Sequence, residues 1–147
     1  MIELWTDGSA GPTNPGPGGW SVVSRTQPLL VGHAALTSNI KMEGYALLEA
    51  VRWLNGRPAK IRTDSQFWVN AVKEWAVRWE RDGWTRSNGD PIQNLPLVRA
   101  LYGGYRANPG AELLWVRGHN GDQGNELADE WAGRARLQKL GYMGMAV

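Results

Sequence analysis

The order in which strand and helix patterns follow one another constrains the fold of this chain more than any other feature. Three strand-like segments come first and lie close together in sequence, at Ile2–Thr6, Trp20–Ser24 and Leu29–Leu36. Consecutive short strands with short connections predict an antiparallel meander. The Gly- and Pro-rich stretch from Gly8 to Gly19 is interpreted as the turn between the first two strands.

Helical and strand patterns alternate along the remainder of the chain. We expect, in order, a helix at Lys41–Asn55, a strand at Lys60–Thr63, helices at Gln66–Trp79 and Leu95–Arg106, a strand at Glu112–Val116 and a closing helix at Asn125–Leu140. This alternation predicts an α/β fold in which helices pack against a mixed sheet. The 147 residues fit one domain, expected at residues 1–140, with a short flexible tail at 141–147.

Composition excludes several kinds of site and location. The chain contains no cysteine, which rules out disulfides and thiolate metal sites and predicts a reducing, cytoplasmic setting. No apolar run approaches the length that crosses a bilayer, so we expect no membrane association, and we expect a monomer. The net charge of +2 is compatible with a nucleic-acid partner, but many proteins without one carry a similar charge.

Two aspartates stand at the ends of predicted strands in nearly identical surroundings. Asp7 lies in Thr-Asp-Gly-Ser at 6–9, and Asp64 lies in Thr-Asp-Ser at 63–65. An aspartate in such a place commonly forms a turn or caps the next helix. If both strands are central and adjacent, however, the two carboxylates emerge together and repel each other unless a cation is present.

Two further acids lie on predicted helices. Glu43 shares a helix stripe with Leu47 and Leu54, and a charge on an apolar stripe favours a functional role. A carboxylate in a first helical turn also stabilises the helix dipole, which is an alternative explanation for Glu43 and a sufficient one for Asp129 alone. Taken together, four carboxylates in a chain without cysteine indicate an all-oxygen site for Mg²⁺ or Mn²⁺.

Five motifs resemble those of the type 1 ribonucleases H. They occur in the family's order and extend from Ile2 to about Ala135: Asp7-Gly8-Ser9 leading into Asn14-Pro15-Gly16-Pro17-Gly18-Gly19, Asn39-Ile40-Lys41-Met42-Glu43, Thr63-Asp64-Ser65-Gln66, Trp115-Val116-Arg117-Gly118-His119, and Gly124-Asn125-Glu126-Leu127-Ala128-Asp129. Each motif is weakly specific by itself, whereas five in order are strongly specific.

The resemblance implies a particular fold and activity. The fold would be α/β and ribonuclease H-like, with a five-stranded mixed sheet, its first three strands antiparallel, and helices on both faces. The activity would be endonucleolytic hydrolysis of the RNA strand of RNA–DNA hybrids, leaving 5′-phosphate and 3′-hydroxyl ends. The cofactor would be Mg²⁺, with Mn²⁺ as substitute, and two ions would clamp the attacking and leaving oxygens when substrate is bound.

The resemblance also implies a role for each candidate residue. Asp7 would bridge both ions, Asp129 would help to hold the ion that activates water, and Glu43 and Asp64 would hold the ion beside the leaving group. His119 would assist proton transfer or release of product and metal from a loop that its glycine neighbours make mobile.

Three amides correspond to residues that contact the minor groove of the hybrid, namely Asn14, Asn39 and Gln66. Amides suit this role because they both donate to and accept from 2′-hydroxyls and base edges. Without the resemblance, these three residues would be interpreted as a turn residue, a helix cap and a solvated first-turn residue.

The chain departs from the family pattern in three places. Ile40 stands where asparagine is common, and Gly44 stands inside a helix where a larger residue is common. The segment Lys73–Asp90, which grips the DNA strand in relatives, retains three tryptophans, which we interpret mainly as packing residues. Its four basic and four acidic residues sum to a net charge of zero, which predicts weak salt dependence of substrate binding.

Three other functions remain compatible with parts of the pattern. The first is a hybrid-binding domain without catalysis, although such a domain gains nothing from four mutually repelling acids. The second is a related metal nuclease or strand transferase that acts on DNA. The third is a sugar- or nucleotide-binding enzyme, but the stretch Gly16–Gly19 is interrupted by Pro17 and does not lead into a helix as a phosphate loop does.

Overall fold

The computed structural model describes residues 1–143. Its strands are β1 (Ile2–Ala10), β2 (Gly16–Val23), β3 (Pro28–Thr37), β4 (Ala59–Thr63), β5 (Ala111–Trp115) and β6 (Tyr142–Met143). Its α-helices are α1 (Asn39–Leu54), α2 (Gln66–Asn70), α3 (Ala76–Arg81), α4 (Leu95–Arg106) and α5 (Gln123–Gln138), with a π-helical segment at Ala71–Trp75 between α2 and α3. These elements follow the predicted order.

The sheet is mixed, and its strand order is β5-β4-β1-β2-β3-β6. The first three strands pair antiparallel, while β4 pairs parallel to both β1 and β5, which confirms the predicted five-stranded arrangement. The sixth strand, β6, has two residues, pairs parallel to β3, and lies in the stretch expected to be a tail. The remainder of that stretch, residues 144–147, lies outside the described residues.

Helices cover both faces of the sheet, as predicted. The described residues form two hydrophobic cores, one on each face of the sheet. Leu4 and its even-numbered neighbours on β1 face the larger core, to which α1 and α4 also contribute. Trp5 faces the opposite side, where it packs with Val23 and with Ala128 of α5. The alternation along β1 follows from the twofold repeat of a strand, so one strand contributes to both cores. Among the described residues, no helix is long and apolar enough to cross a membrane.

The Gly- and Pro-rich stretch is not one long turn, contrary to the sequence interpretation. β1 continues to Ala10 and β2 begins at Gly16, so only residues 11–15 connect them. A Cβ on Gly18 would overlap Thr37, and a Cβ on Gly19 would overlap the backbone of α5. The glycines of β2 therefore allow close packing of the sheet, and the turn uses few of them.

Helix α1 begins two residues earlier than predicted because Ser38 caps it. Ser38 Oγ accepts the backbone N–H of Lys41 at 3.1 Å. Gly44, the unusual glycine inside α1, packs against the ring of Trp68, whose Nε1 donates to the carbonyl oxygen of Ile40 at 2.8 Å. A larger residue at position 44 would displace that ring, so tertiary packing accounts for the glycine.

The tryptophans of the segment 73–90 are packing residues, as interpreted from the sequence. Trp75 and Trp79 have ring centroids 5.9 Å apart and pack against the larger core. Trp84 contacts Tyr102 of α4 at a centroid distance of 6.0 Å. The helical run predicted at Gln66–Trp79 is continuous, although its centre is π-helical and it ends at Arg81.

Candidate active site

Two adjacent central strands bring Asp7 and Asp64 together. β1 and β4 are parallel, with Thr6 opposite Thr63 in register. Asp7 follows on β1 and is 6% exposed, and Asp64 follows the last residue of β4. Asp7 does not end its strand as predicted, because β1 continues to Ala10. The parallel register nevertheless places the residues after Thr6 and Thr63 side by side, so the two aspartates predicted from their matching surroundings do lie together.

Glu43 reaches the same place because α1 lies directly on β1. A Cβ on Gly8 would overlap the backbone of Met42 and Glu43, so only glycine permits this approach. One carboxylate oxygen from each of Asp7, Glu43 and Asp64 lies within 4.8 Å of the others. Three of the four carboxylates selected from the sequence therefore converge.

Asp129 approaches Asp7 from the opposite face of the sheet. It lies on α5 and is exposed, and its side chain is within hydrogen-bonding reach of Asp7. A hydrogen bond joins α5 to β2 nearby, because Ser21 Oγ donates to the carbonyl oxygen of Ala128 at 2.7 Å. The fourth carboxylate is therefore a neighbour of Asp7 and is not part of the three-residue cluster.

Proximity and burial make ionisation of this cluster costly. Burial, followed by the charge of Asp64, raises the pKa of Asp7 well above its usual range. Burial and the charge of Asp64 likewise raise the pKa of Glu43 to about 7, although a hydrogen bond from Ser65 acts in the opposite direction. The folded protein thus holds carboxylates that are destabilised when all are charged.

The donor set fits a hard divalent cation. Within the described part of the chain, no lysine or arginine forms an ion pair with Asp7, Glu43 or Asp64. Oxygen ligands at this spacing suit Mg²⁺ and Mn²⁺, and a bound cation would favour the ionised carboxylates that burial and mutual repulsion oppose. These residues could therefore hold a metal ion.

Asn125 belongs to the site, although sequence reasoning assigned it no role. It is 1% exposed, and its Nδ2 donates to Oδ2 of Asp64 at 3.4 Å. Gly118 also lies against Asp64, since a Cβ at Gly118 would be 2.8 Å from Oδ2. The motif that contains Asn125 was recognised, but an uncharged amide in a helix gives no sequence signal of what it contacts.

His119 lies in the exposed loop between β5 and α5. Its backbone is in the left-handed region, with φ of 55°, and its N–H donates to Oδ1 of Asn125 at 3.4 Å. Gly121 follows with φ of 81°. The structure therefore places the histidine on a loop that is linked to the acidic cluster through Asn125.

The structure brings two of the three predicted substrate amides together. Asn14 Oδ1 accepts the backbone N–H of Asn39 at 3.1 Å, and Asn39 Oδ1 accepts the N–H of Ala10 at 2.7 Å. These contacts join the β1–β2 connection to the start of α1. Gln66 is exposed at the start of α2, two residues after Asp64.

A mixed sheet of this order, with acids meeting where β1 and β4 lie side by side, defines a protein of the ribonuclease H-like fold class. The family model described as RNase H matches residues 1–136. The chain belongs to the RNase H family.

Individual relatives agree with this assignment. The chain is 39% identical over 140 residues to a ribonuclease H of Bordetella pertussis, covering 90% of this chain and 86% of that protein. It is 38% identical to a ribonuclease H of Verminephrobacter eiseniae, covering 99% and 97% of the two chains. Its fold matches a foamy viral protease-reverse transcriptase in complex with an RNA/DNA hybrid, with a TM-score of 0.77 at 17% identity, covering 93% of this chain and 20% of that one.

Proposed function

We propose that this protein is a metal-dependent endonuclease that hydrolyses the RNA strand of RNA–DNA hybrids, leaving 5′-phosphate and 3′-hydroxyl ends. The observation that carries the proposal is the convergence of Asp7, Glu43 and Asp64 without a basic partner among the described residues. Membership of the RNase H family and the hybrid bound to the viral structural neighbour support the choice of substrate.

Asp7, Glu43, Asp64 and Asp129 would hold the cation, with Mg²⁺ as the expected ion, Mn²⁺ as its substitute and two ions present with substrate. When bound, such ions neutralise charge on the scissile phosphate and lower the pKa of the attacking water. The protein contributes a fixed arrangement of ligands, because Asp7 is held within the central strand and Gly8 sets the distance to α1.

His119 is proposed either to assist proton transfer, by supplying the proton that the leaving 3′-oxygen takes up, or to assist release of product and metal. An imidazole is suited to this because its ring nitrogens can both carry and release a proton. Its exposure and its loop position would allow it to approach the substrate and withdraw with the product.

Asn14, Asn39 and Gln66 are proposed to recognise the minor groove of the hybrid. The Oδ1 atoms of Asn14 and Asn39 accept backbone N–H groups, and neither Nδ2 group donates to another described residue, so both could donate to 2′-hydroxyls or base edges. A groove-reading amide whose oxygen is already engaged is held in one orientation, which favours specific recognition.

The decisive experiment uses one labelled RNA strand in a hybrid with DNA, in duplex RNA and alone, together with a labelled duplex DNA of the same sequence. Each substrate is incubated with Mg²⁺, with Mn²⁺ and with chelator, alongside an Asp7→Asn variant. The proposal requires cuts in the hybrid that need metal and Asp7, and that leave 5′-phosphate ends. Tight hybrid binding without cuts under any metal would favour a binding domain instead, whereas cuts in duplex DNA would indicate a DNA nuclease.

A further inference from the structure

The buried amide of Asn125 lies between two parts of the site that come from different loops. Its Nδ2 donates to Oδ2 of Asp64, and its Oδ1 accepts the backbone N–H of His119, both at 3.4 Å. One planar group therefore contacts a candidate metal ligand on one side and the histidine loop on the other.

The backbone around Asn125 is held firmly. The N-cap of α5, Asp122, accepts the backbone N–H of Asn125 on Oδ1 at 2.9 Å. The preceding residue, Gly124, packs so closely against the indole of Trp5 that a Cβ would overlap it. This close packing restricts movement of the first turn of α5 away from β1, so the position of the amide is set by the core.

The orientation of the amide is also determined. A flipped amide would direct its oxygen at the Asp64 carboxylate and its NH₂ at the His119 N–H, which are two repulsive contacts. The observed orientation avoids both repulsive contacts. It also gives hydrogen-bond partners to both polar atoms of a side chain that is only 1% exposed.

Asp64 depends on such contacts because its carboxylate has no ion-pair partner among the described residues. Its backbone carbonyl oxygen accepts Nε1 of Trp115 at 3.2 Å, and Gly118 lies against its Oδ2. Asn125 supplies a donor to that oxygen, which restricts rotation of the carboxylate.

We propose that Asn125 is a positioning residue that orients Asp64 for the cation and couples that orientation to the conformation of the His119 loop. Its catalytic consequence rests on the proposed function, whereas its effect on cation binding and on the loop does not. Loss of the partner that orients a metal ligand typically costs about 10–100-fold in metal affinity or activity, which sets the expected size of the effect.

Two variants separate the two contacts, and a third serves as control. Asn125→Ala removes both contacts. Asn125→Asp is nearly isosteric and keeps an oxygen for the His119 N–H, but it places a like charge against Asp64. Gln123→Ala removes an exposed amide from the same first turn of α5 and should behave as wild type.

Three measurements are made on the intact protein. Calorimetric titration with Mn²⁺ alone should show about tenfold weaker binding in Asn125→Ala. Amide hydrogen exchange over residues 117–121 should accelerate about tenfold in Asn125→Ala and stay at the wild-type rate in Asn125→Asp. In hybrid cleavage, kcat should fall at least about tenfold in both variants while KM stays within about twofold.

The proposal fails if folded Asn125→Ala binds Mn²⁺ and exchanges its loop amides as wild type does. If that variant does not fold, the wild-type protein still decides, because the His119 amide should exchange about tenfold more slowly than that of Asn120. Equal exchange would overturn the coupling. Absence of hybrid cleavage by the wild type would instead reject the proposed function, and the titration and exchange results would remain valid.

Discussion

Thr6 and Thr63 lie opposite each other in the parallel pair formed by β1 and β4, and an aspartate follows each of them. The pairing register of two backbone segments therefore sets which acids meet. A shift of one residue would turn one aspartate to the other face of the sheet, so the site is as strongly specified as the register itself.

Replacing Asp7 by Asn should abolish cleavage while stabilising the metal-free protein. The substitution removes an acid whose ionisation is opposed by burial and by the charge of Asp64, so we expect metal-free stability near neutral pH to rise by about 1 kcal/mol or more. Activity should fall by at least about 1000-fold, because the central carboxylate of the cation site is lost. Thermal unfolding in chelator and hybrid cleavage in Mg²⁺ measure the two effects, and Glu112→Gln, an exposed acid on β5, should change neither.

The stability of the metal-free protein should fall as pH rises from about 4.5 to about 7. The pKa of Glu43 is raised from 4.5 to about 7 in the folded state, so between these values the folded protein holds a proton that the unfolded chain has released. Stabilisation from this proton is complete below the unfolded pKa and is lost as pH passes the folded pKa. Asp7 acts in the same direction. For Glu43 the loss is on the order of 2–3 kcal/mol.

Urea unfolding in chelator at pH 5 and pH 7.5 measures this loss. Glu43→Gln should reduce the difference between the two pH values, and saturating Mg²⁺ should restore much of the stability at pH 7.5. Equal stability of the metal-free wild type at both pH values would contradict the prediction.

Gly8→Ala should separate α1 from β1 and damage both stability and activity. The added Cβ overlaps the backbone of Met42 and Glu43, which cannot rotate away as a flexible side chain would. We expect a loss of about 1–3 kcal/mol and an activity loss larger than this destabilisation explains, because Glu43 moves relative to Asp7. Denaturant unfolding and hybrid cleavage test this.

Gly133→Ala is the matched control. It adds the same methyl group within α5, where nothing lies within 4 Å of the new atom. It should stabilise the protein by roughly 0.5–1 kcal/mol, because alanine favours a helix interior over glycine. If both alanines behaved alike, the steric account of Gly8 would be wrong.

Asn39→Asp should weaken hybrid binding without loosening the loop. Aspartate keeps an oxygen that can accept the N–H of Ala10 but lacks the Nδ2 donor proposed to read the minor groove. We expect KM for the hybrid to rise about tenfold or more, at nearly unchanged thermal stability. Asn39→Ala should weaken hybrid binding and lower thermal stability as well. Binding to duplex DNA measures simple charge repulsion, so an equal loss there would argue against groove recognition.

The segment 73–90 should contribute little to the salt dependence of hybrid binding. Its charges cancel in sequence, and in the fold Arg81 pairs with Asp82 while Glu80 pairs with Arg106. Each new phosphate contact steepens the logarithmic salt slope by about 0.9. Exchanging Glu74, an exposed acid in this segment, for lysine should therefore steepen the slope measured by fluorescence anisotropy.

Features that follow from local periodicity and capping could be read from the sequence. Helix α4 was predicted with its observed bounds, and the order of strands and helices was correct. Asp7 and Asp64 could be paired in advance because each follows a threonine at the end of a predicted strand, although β1 in fact continues to Ala10. Local pattern and global fold agree at these places.

Features that depend on distant packing could not be read in this way. Gly18 and Gly19 looked like turn residues because the sequence does not show that Thr37 and α5 press against them. The π-helical segment at Ala71–Trp75 and the contacts of Asn125 likewise arise from tertiary neighbours. The convergence of Asp7, Glu43 and Asp64 combines both, because the strand pattern indicates the two aspartates and the approach of α1 to Gly8 adds the glutamate.

The position of β1 at the centre of the sheet has a consequence during protein synthesis. β1 is synthesised before its neighbour β4, and α5, which carries Asn125 and Asp129, is synthesised after both. The four acids therefore cannot come together in a nascent chain before α5 has been synthesised.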